Sequence, residues 1–552
     1  MTTCASRRKF NSQTFALMSG ALFLPQSTLY AQTTKPVVKT VTRQPLSTVM
    51  ADAARREQLF TLFERMRALP ASHPSSYFFQ AAIHWFPDFS DKDPGVQAIK
   101  AIFDADPKAK DALPYWDQCT HFGKGQPADF LVWHRAYVYH FEQSARHILG
   151  DPSFALPYWD YTSPQAGSRM LPDIFIGKQR QKEGKSISNS LFPTGGPDRT
   201  LKNKGDQLSL AAVNITDAFN AERYFAVAGV PGFGGAVGQG GAVSAIDNVP
   251  HGAVHGGVGG WMGSVDTAAF DPVFWFHHAN IDRLWNMWLA AKNKYWGAMP
   301  DGWLDQAPFS FMAPDGTIVR EKRSFYADQA NLGYRYDSDP TLLPQPTLGQ
   351  PAGKKPPNLK SIQQLPREIK GFFEKPAGPA TSAVTLSSSA RTDIRVPLAP
   401  LPPPPGSTAP GKRPMALESV KEKYNYVVLD ISGIEKESGS AGNYDIYASL
   451  PGAVPPELGK ASRVGYLTTF EAPRRRPNGA PGKEVHHRVD ITAFVQKLSS
   501  DKKVNPSEII FTFVRSVGTD ASGKPLDQAE GGPVHLRSLA VKVLVGSTDE
   551  VI

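Results

Sequence analysis

The stretch TAAFDPVFWFHHANIDRLW, residues 267–285, decides how this chain is read. Its apolar residues continue through NMWLA with helical spacing, so residues 274–290 are expected to form a buried helix. Two adjacent imidazoles, His277 and His278, sit in the middle of that apolar run. Upstream, HGAVH places His251 and His255 four residues apart. On a helix both would point to one side and could reach one metal. That spacing is a weak signal alone, and the 274–290 segment strengthens it by supplying a third imidazole.

A second group lies in the N-terminal third. His84 sits in YFFQAAIHWF, His121 in CTHFGKG, and His134 opens WHRAYVYHFEQSARHIL. There Val138, Phe141, Ala145 and Ile148 recur every three or four residues, which predicts one helix over 132–149. A further helix is expected over 43–70, ending at Pro70. Two sets of three imidazoles, with no obligatory carboxylate, suit two copper ions better than a diiron or magnesium site. Such a pair points to dioxygen chemistry. A zinc hydrolase is disfavoured because all-histidine triads leave no general base nearby. Histidine-bearing helices facing one another build such a site in a bundle core.

The expected fold is therefore a mainly α four-helix-bundle dicopper core followed by a C-terminal antiparallel β-sandwich. Residues 1–31 read as a signal peptide, with Arg7 and Arg8 ahead of FALMSGALFL pointing to Tat export and a periplasmic or secreted protein. Residues 32–340 form the catalytic domain on this reading. No apolar run is long enough to span a bilayer. Composition shifts to Pro, Ser, Ala and Lys over 341–415, culminating in PLAPLPPPPG, which reads as a linker. Over 416–552 the runs YNYVVLDI, YDIYASL, VGYLTTF, EIIFTFV and LAVKVLV, separated by turn residues, read as strands. His486 and His487, adjacent in a further strand and so pointing to opposite faces, read as surface residues. AVAGVPGFGGAVGQGGAV (226–243) lacks the Lys-Ser/Thr of a phosphate loop and reads as a surface loop. The net charge of +9 is scattered, which favours solubility over nucleic-acid binding. Of the two cysteines, Cys4 would leave with the leader, so Cys119 would stand alone.

These residues resemble the type-3 copper proteins: tyrosinases, catechol oxidases and haemocyanins. The strings CTHFGKGQPADFLVWHR (119–135), LPYWDYT (156–162), HGAVH and 267–285 carry the likeness. The resemblance implies His84, His121 and His134 on one copper and His251, His255 and His278 on the other, with His277 near the substrate mouth. It implies a thioether between Cys119 and His121, a gate at Phe274, and a catalytic contribution at Asp247, four residues before His251. Gly252 and Gly256, after the two histidines of HGAVH, stand at positions that shape the pocket. Gly252 replaces an asparagine often found in members with strong monophenol activity. LGYRYD (332–337) matches the tyrosine motif closing the core, with Arg43 as its partner. The C-terminal domain resembles the one that shields latent polyphenol oxidases by inserting a side chain over the coppers.

Asp282, one turn beyond His278, is expected to fix the outer nitrogen of a ligand imidazole. His121 and His134 lie thirteen residues apart, wider than is usual in the family, so GKGQ or its neighbours read as an insertion. His140 and His147 read as helix-face residues. The leading expectation is an oxidase of phenols and o-diphenols that uses dioxygen and two coppers. The alternative is a haemocyanin-like dioxygen carrier.

Overall fold

The computed structural model describes residues 40–339 and 371–547, less 120–125, 227–229, 237–243, 387–390, 399–425, 438–441, 452–462, 476–484, 501–506, 527–531 and a few shorter gaps. The expected leader and its cleavage point lie outside the described residues.

The N-terminal half is helical. The 43–70 stretch is not one helix: after a strand at Val41–Arg43 come helices Leu46–Ala51 and Ala53–Ala68. The break falls at Asp52, whose extended backbone caps the second helix by accepting from the Ala54 and Arg55 amides. Tyr77–His84 begins at Ser76, whose hydroxyl accepts from the Phe78 amide, and it presents His84 as its last residue. Phe130–Leu149 ends where Gly150 takes a left-handed conformation, φ 64°. Val273–Ala290 is buried over nearly its whole length. The last two helices face each other through aromatic packing, with Phe141 and Trp275 stacked at 3.7 Å.

A buried ion network locks these helices to the ends of the domain. Val41–Arg43 pairs in parallel with Tyr334–Tyr336, with Arg43 opposite Tyr336. Arg43 donates to Glu142 at 2.8 Å and to Asp282 at 3.2 Å. Asp282 also accepts from Arg135, Tyr334 and Tyr336. Burial alone would raise the Asp282 carboxyl, but Arg135 and Arg43 outweigh it and hold it below its ordinary value.

The C-terminal half is β. One four-stranded antiparallel sheet runs in the order 486–490, 426–432, 538–547, 371–376. Another runs 463–468, 443–449, 508–515, 391–397. The strands at 371–376, 384–386 and 391–397 lie inside the stretch read as a 341–415 linker, so the β domain begins by residue 371. All three lie at sheet edges, where proline is tolerated, and their Pro- and Ser-rich surroundings hide them. Residues 230–236 also depart from expectation. Phe233 is buried and stacks on Trp288 at 4.4 Å, so that part of the glycine-rich run is packed rather than surface loop.

Each half has its own hydrophobic core, as an independently folding domain requires. Among the described residues, Phe470 is the one fully buried residue of the β half that belongs to the helical core. Asp282→Asn would leave Arg43 and Arg135 without their shared anion. A stability loss of about 3–5 kcal/mol is expected, read as a lower urea midpoint. An unchanged midpoint would remove the network from the account.

Candidate metal centre

His251, His255, His277 and His278 form one buried group, and His84, Cys119 and His134 a second, each with its potential ligand atoms within 4.8 Å of one another. The two groups touch: the His134 and His278 rings are stacked at 4.4 Å. His84 arrives from the end of its helix and His134 from the second turn of Phe130–Leu149. His251 lies in an irregular helical turn, Asp247–Gly252, which runs directly into Ala253–Val258 carrying His255. His121 lies outside the described residues, and with it the expected thioether. Its proposed partner Cys119 is fully buried, with Sγ 3.8 Å from His134 Nε2.

Backbone and side-chain acceptors fix how the rings point. His134 Nδ1 lies 2.8 Å from Phe130 O, His255 Nδ1 2.8 Å from Met262 O, and His251 Nδ1 2.7 Å from Asp247 Oδ1. Each contact makes Nδ1 the protonated nitrogen and leaves the Nε2 lone pair facing inward. The Nε2 atoms of His255 and His278 converge to 3.3 Å. Burial, with the neighbouring imidazoles adding to it, pushes His255 and His278 well below their ordinary pKa, so these rings are neutral. Neutral, convergent nitrogens, with no carboxylate in either group among the described residues, are the donor set that fits a copper pair.

His277 is also buried. Its Nδ1 meets the Tyr161 hydroxyl at 3.0 Å and its Nε2 has no hydrogen-bond partner among the described residues, although it belongs to the four-histidine group. Phe274 packs among the ligand candidates, 4.9 Å from His84 and 4.1 Å from His278 between ring centroids. Asp282 meets no histidine among the described residues. Its carboxylate faces the arginines and tyrosines of the ion network, and Arg283 pairs instead with Asp160. The orienting carboxylate is Asp247. Gly256 is buried within Ala253–Val258. His140 lies away from both groups, bonded to Tyr326 and pushed by burial down to about 3. His487, read as a surface residue, is buried, bonds Tyr466 O at 2.9 Å, and is held by burial at about 4.

Phe470 was not legible as a site residue. Its ring lies 4.1 Å from that of His255, nearly parallel at 9°, and 5.6 Å from that of His251. It comes from the β domain, just after the strand Arg463–Thr468. The available signal was the alternation in GYLTTF, which puts Tyr466, Thr468 and Phe470 at every second position of an apolar strand.

Residues 74–291 match the family model for the common central domain of tyrosinase. A tyrosinase of Hahella sp. is 30% identical over 297 residues, 50% of this chain and 58% of that protein. A chloroplastic polyphenol oxidase of Malus domestica is 27% identical over 425 residues, 72% of this chain and 63% of that protein. The chain thus spans about three fifths of the length of these curated relatives. The structure of latent apple tyrosinase superposes with a TM-score of 0.52 at 20% identity, covering 92% of this chain and 98% of that one. Latent aurone synthase gives 0.53 at 18%, covering 92% and 90%. Both are likenesses of fold, and they extend over the β half. The two histidine groups lie inside the segment, residues 74–291, that matches the common central domain of tyrosinase.

Proposed function

We propose that this chain is a copper-dependent oxidase that converts phenols or o-diphenols to o-quinones with dioxygen, and that its β domain keeps it latent. His84, His121 and His134 would hold one ion and His251, His255 and His278 the other. Bound there, the copper pair would supply the path for electrons between substrate and dioxygen. The observation that carries the reading is the Phe470 ring lying flat on His255 beside the convergent imidazoles. An aromatic ring of substrate would use the same face, and phenylalanine, lacking a hydroxyl, can occupy it without reacting.

The surrounding residues favour o-diphenols. Asp247 is committed to His251, which leaves it less able to hold a water that takes a proton from a monophenol. Gly252 offers no side-chain acceptor. Phe274 packs against His84 and His278, so on this reading it spaces the two groups as well as facing the pocket. The tyrosinase match and the displaceable plug favour an oxidase over a dioxygen carrier. Export through the Tat route remains part of the proposal on the strength of Arg7 and Arg8. No helix among the described residues is long and apolar enough to cross a membrane.

Dioxygen uptake should be low in the intact copper-loaded chain with a simple catechol. It should rise about tenfold or more in Phe470→Ala or after proteolysis within 340–370, because only the open fraction is competent. Uptake with the matching monophenol should stay well below that with catechol. A copper-replete, cleaved chain without catechol uptake would contradict the oxidase reading and favour reversible dioxygen binding. Asp247→Asn should weaken copper binding by about 10–100-fold in a chelator competition, as loss of a ligand-orienting partner does. Unaltered affinity would show that the 2.7 Å contact does not tune the site.

A further inference from the structure

The segment bearing Phe470 is held on the helical domain as a peptide strand, not only as a plug. Arg463–Thr468 is the edge of its sheet. Leu467 turns into the β core, whereas Tyr466 packs with Ala212, Val249 and Ala253 of the helical domain. Thr468 covers Gly252 so closely that a Cβ there would lie 2.7 Å from its methyl group. Phe470 completes the series on His255. Between these positions the Asn248 side chain donates through Nδ2 to Tyr466 O at 3.0 Å and accepts through Oδ1 from Thr468 N at 3.3 Å. One amide therefore satisfies two main-chain groups on the same strand, as a neighbouring strand would. Those two bonds require nothing of the side chains at 466 and 468. Any extended peptide can make them, while pockets for alternate side chains give selectivity.

We infer that, with the β domain displaced, this face binds an extended peptide, and that the preferred substrate class is a phenolic ring carried on such a peptide. The ring takes the place of Phe470. A small residue two positions earlier covers Gly252, and an apolar or aromatic residue four positions earlier enters the Ala212, Val249 and Ala253 pocket. Asn248 positions the main chain. The inference rests on the oxidase reading. Two peptide-borne o-diphenols each lose two electrons and two protons to become o-quinones. One dioxygen accepts all four electrons and protons and leaves as two waters.

A test separates binding from turnover. The peptide of residues 464–472 and a scrambled peptide of equal composition are titrated by calorimetry into the copper-free helical domain freed of the β domain. Binding of the native order alone, weakened about tenfold by Asn248→Ala, is the expected result. No binding, or equal binding of both orders, overturns the inference. In the copper-loaded domain the same peptides, with 3,4-dihydroxyphenylalanine replacing residue 470, are compared with simple catechol. The ordered peptide should show a KM about tenfold below the scrambled one, and Asn248→Ala should raise that KM while leaving kcat little changed. Catechol oxidation without preference between the peptides sinks the peptide inference and leaves the oxidase. Failure to oxidise even catechol sinks both.

Discussion

The structure depends on one buried carboxylate. Asp282 accepts from Arg43, Arg135, Tyr334 and Tyr336, and so joins the helix bearing His277 and His278 to the helix bearing His134 and to the two paired strands that close the domain. A lone carboxylate in such a place would be costly, and two guanidinium groups with two hydroxyls make it tolerable. Imidazoles must be held to a fraction of an ångström if their lone pairs are to meet at a metal, and a rigid joint between the two central helices serves that need. The sequence position of Asp282, one turn past His278, suggested a direct contact with a ligand. Its carboxylate points the other way, toward the tyrosine strand. Its influence on the site is through the backbone.

Asp247 has the direct role that Asp282 lacks. It lies in an irregular turn whose outer face, at Asn248, meets the β domain, and whose inner face, through Asp247, orients His251. Ligand orientation and domain docking are thus built on neighbouring residues. Whatever displaces the strand at 463–468 acts on a turn that is covalently continuous with His251 and His255.

The helices over 132–149 and 274–290 were legible because they obey apolar periodicity, whereas the break at Asp52 within the 43–70 stretch was not read. The described histidines of the two groups were legible for the same reason, since each lies on a helix or helical turn. Long-range features were not. The strands at 371–397 are short and sit in Pro- and Ser-rich sequence, and only their partners in the sheets, more than a hundred residues away, give them a place. Phe470 reads as one more apolar strand residue until the β domain is docked. His487 looks exposed until the carbonyl of Tyr466 is placed beside it.

The most direct measurement is an anomalous difference map at the copper edge from crystals of the intact, copper-loaded chain. The account predicts two peaks, one among His251, His255 and His278 and one beside His84 and His134, with the Phe470 ring lying across His255. A single peak, or two peaks with Phe470 withdrawn from the site, would contradict it.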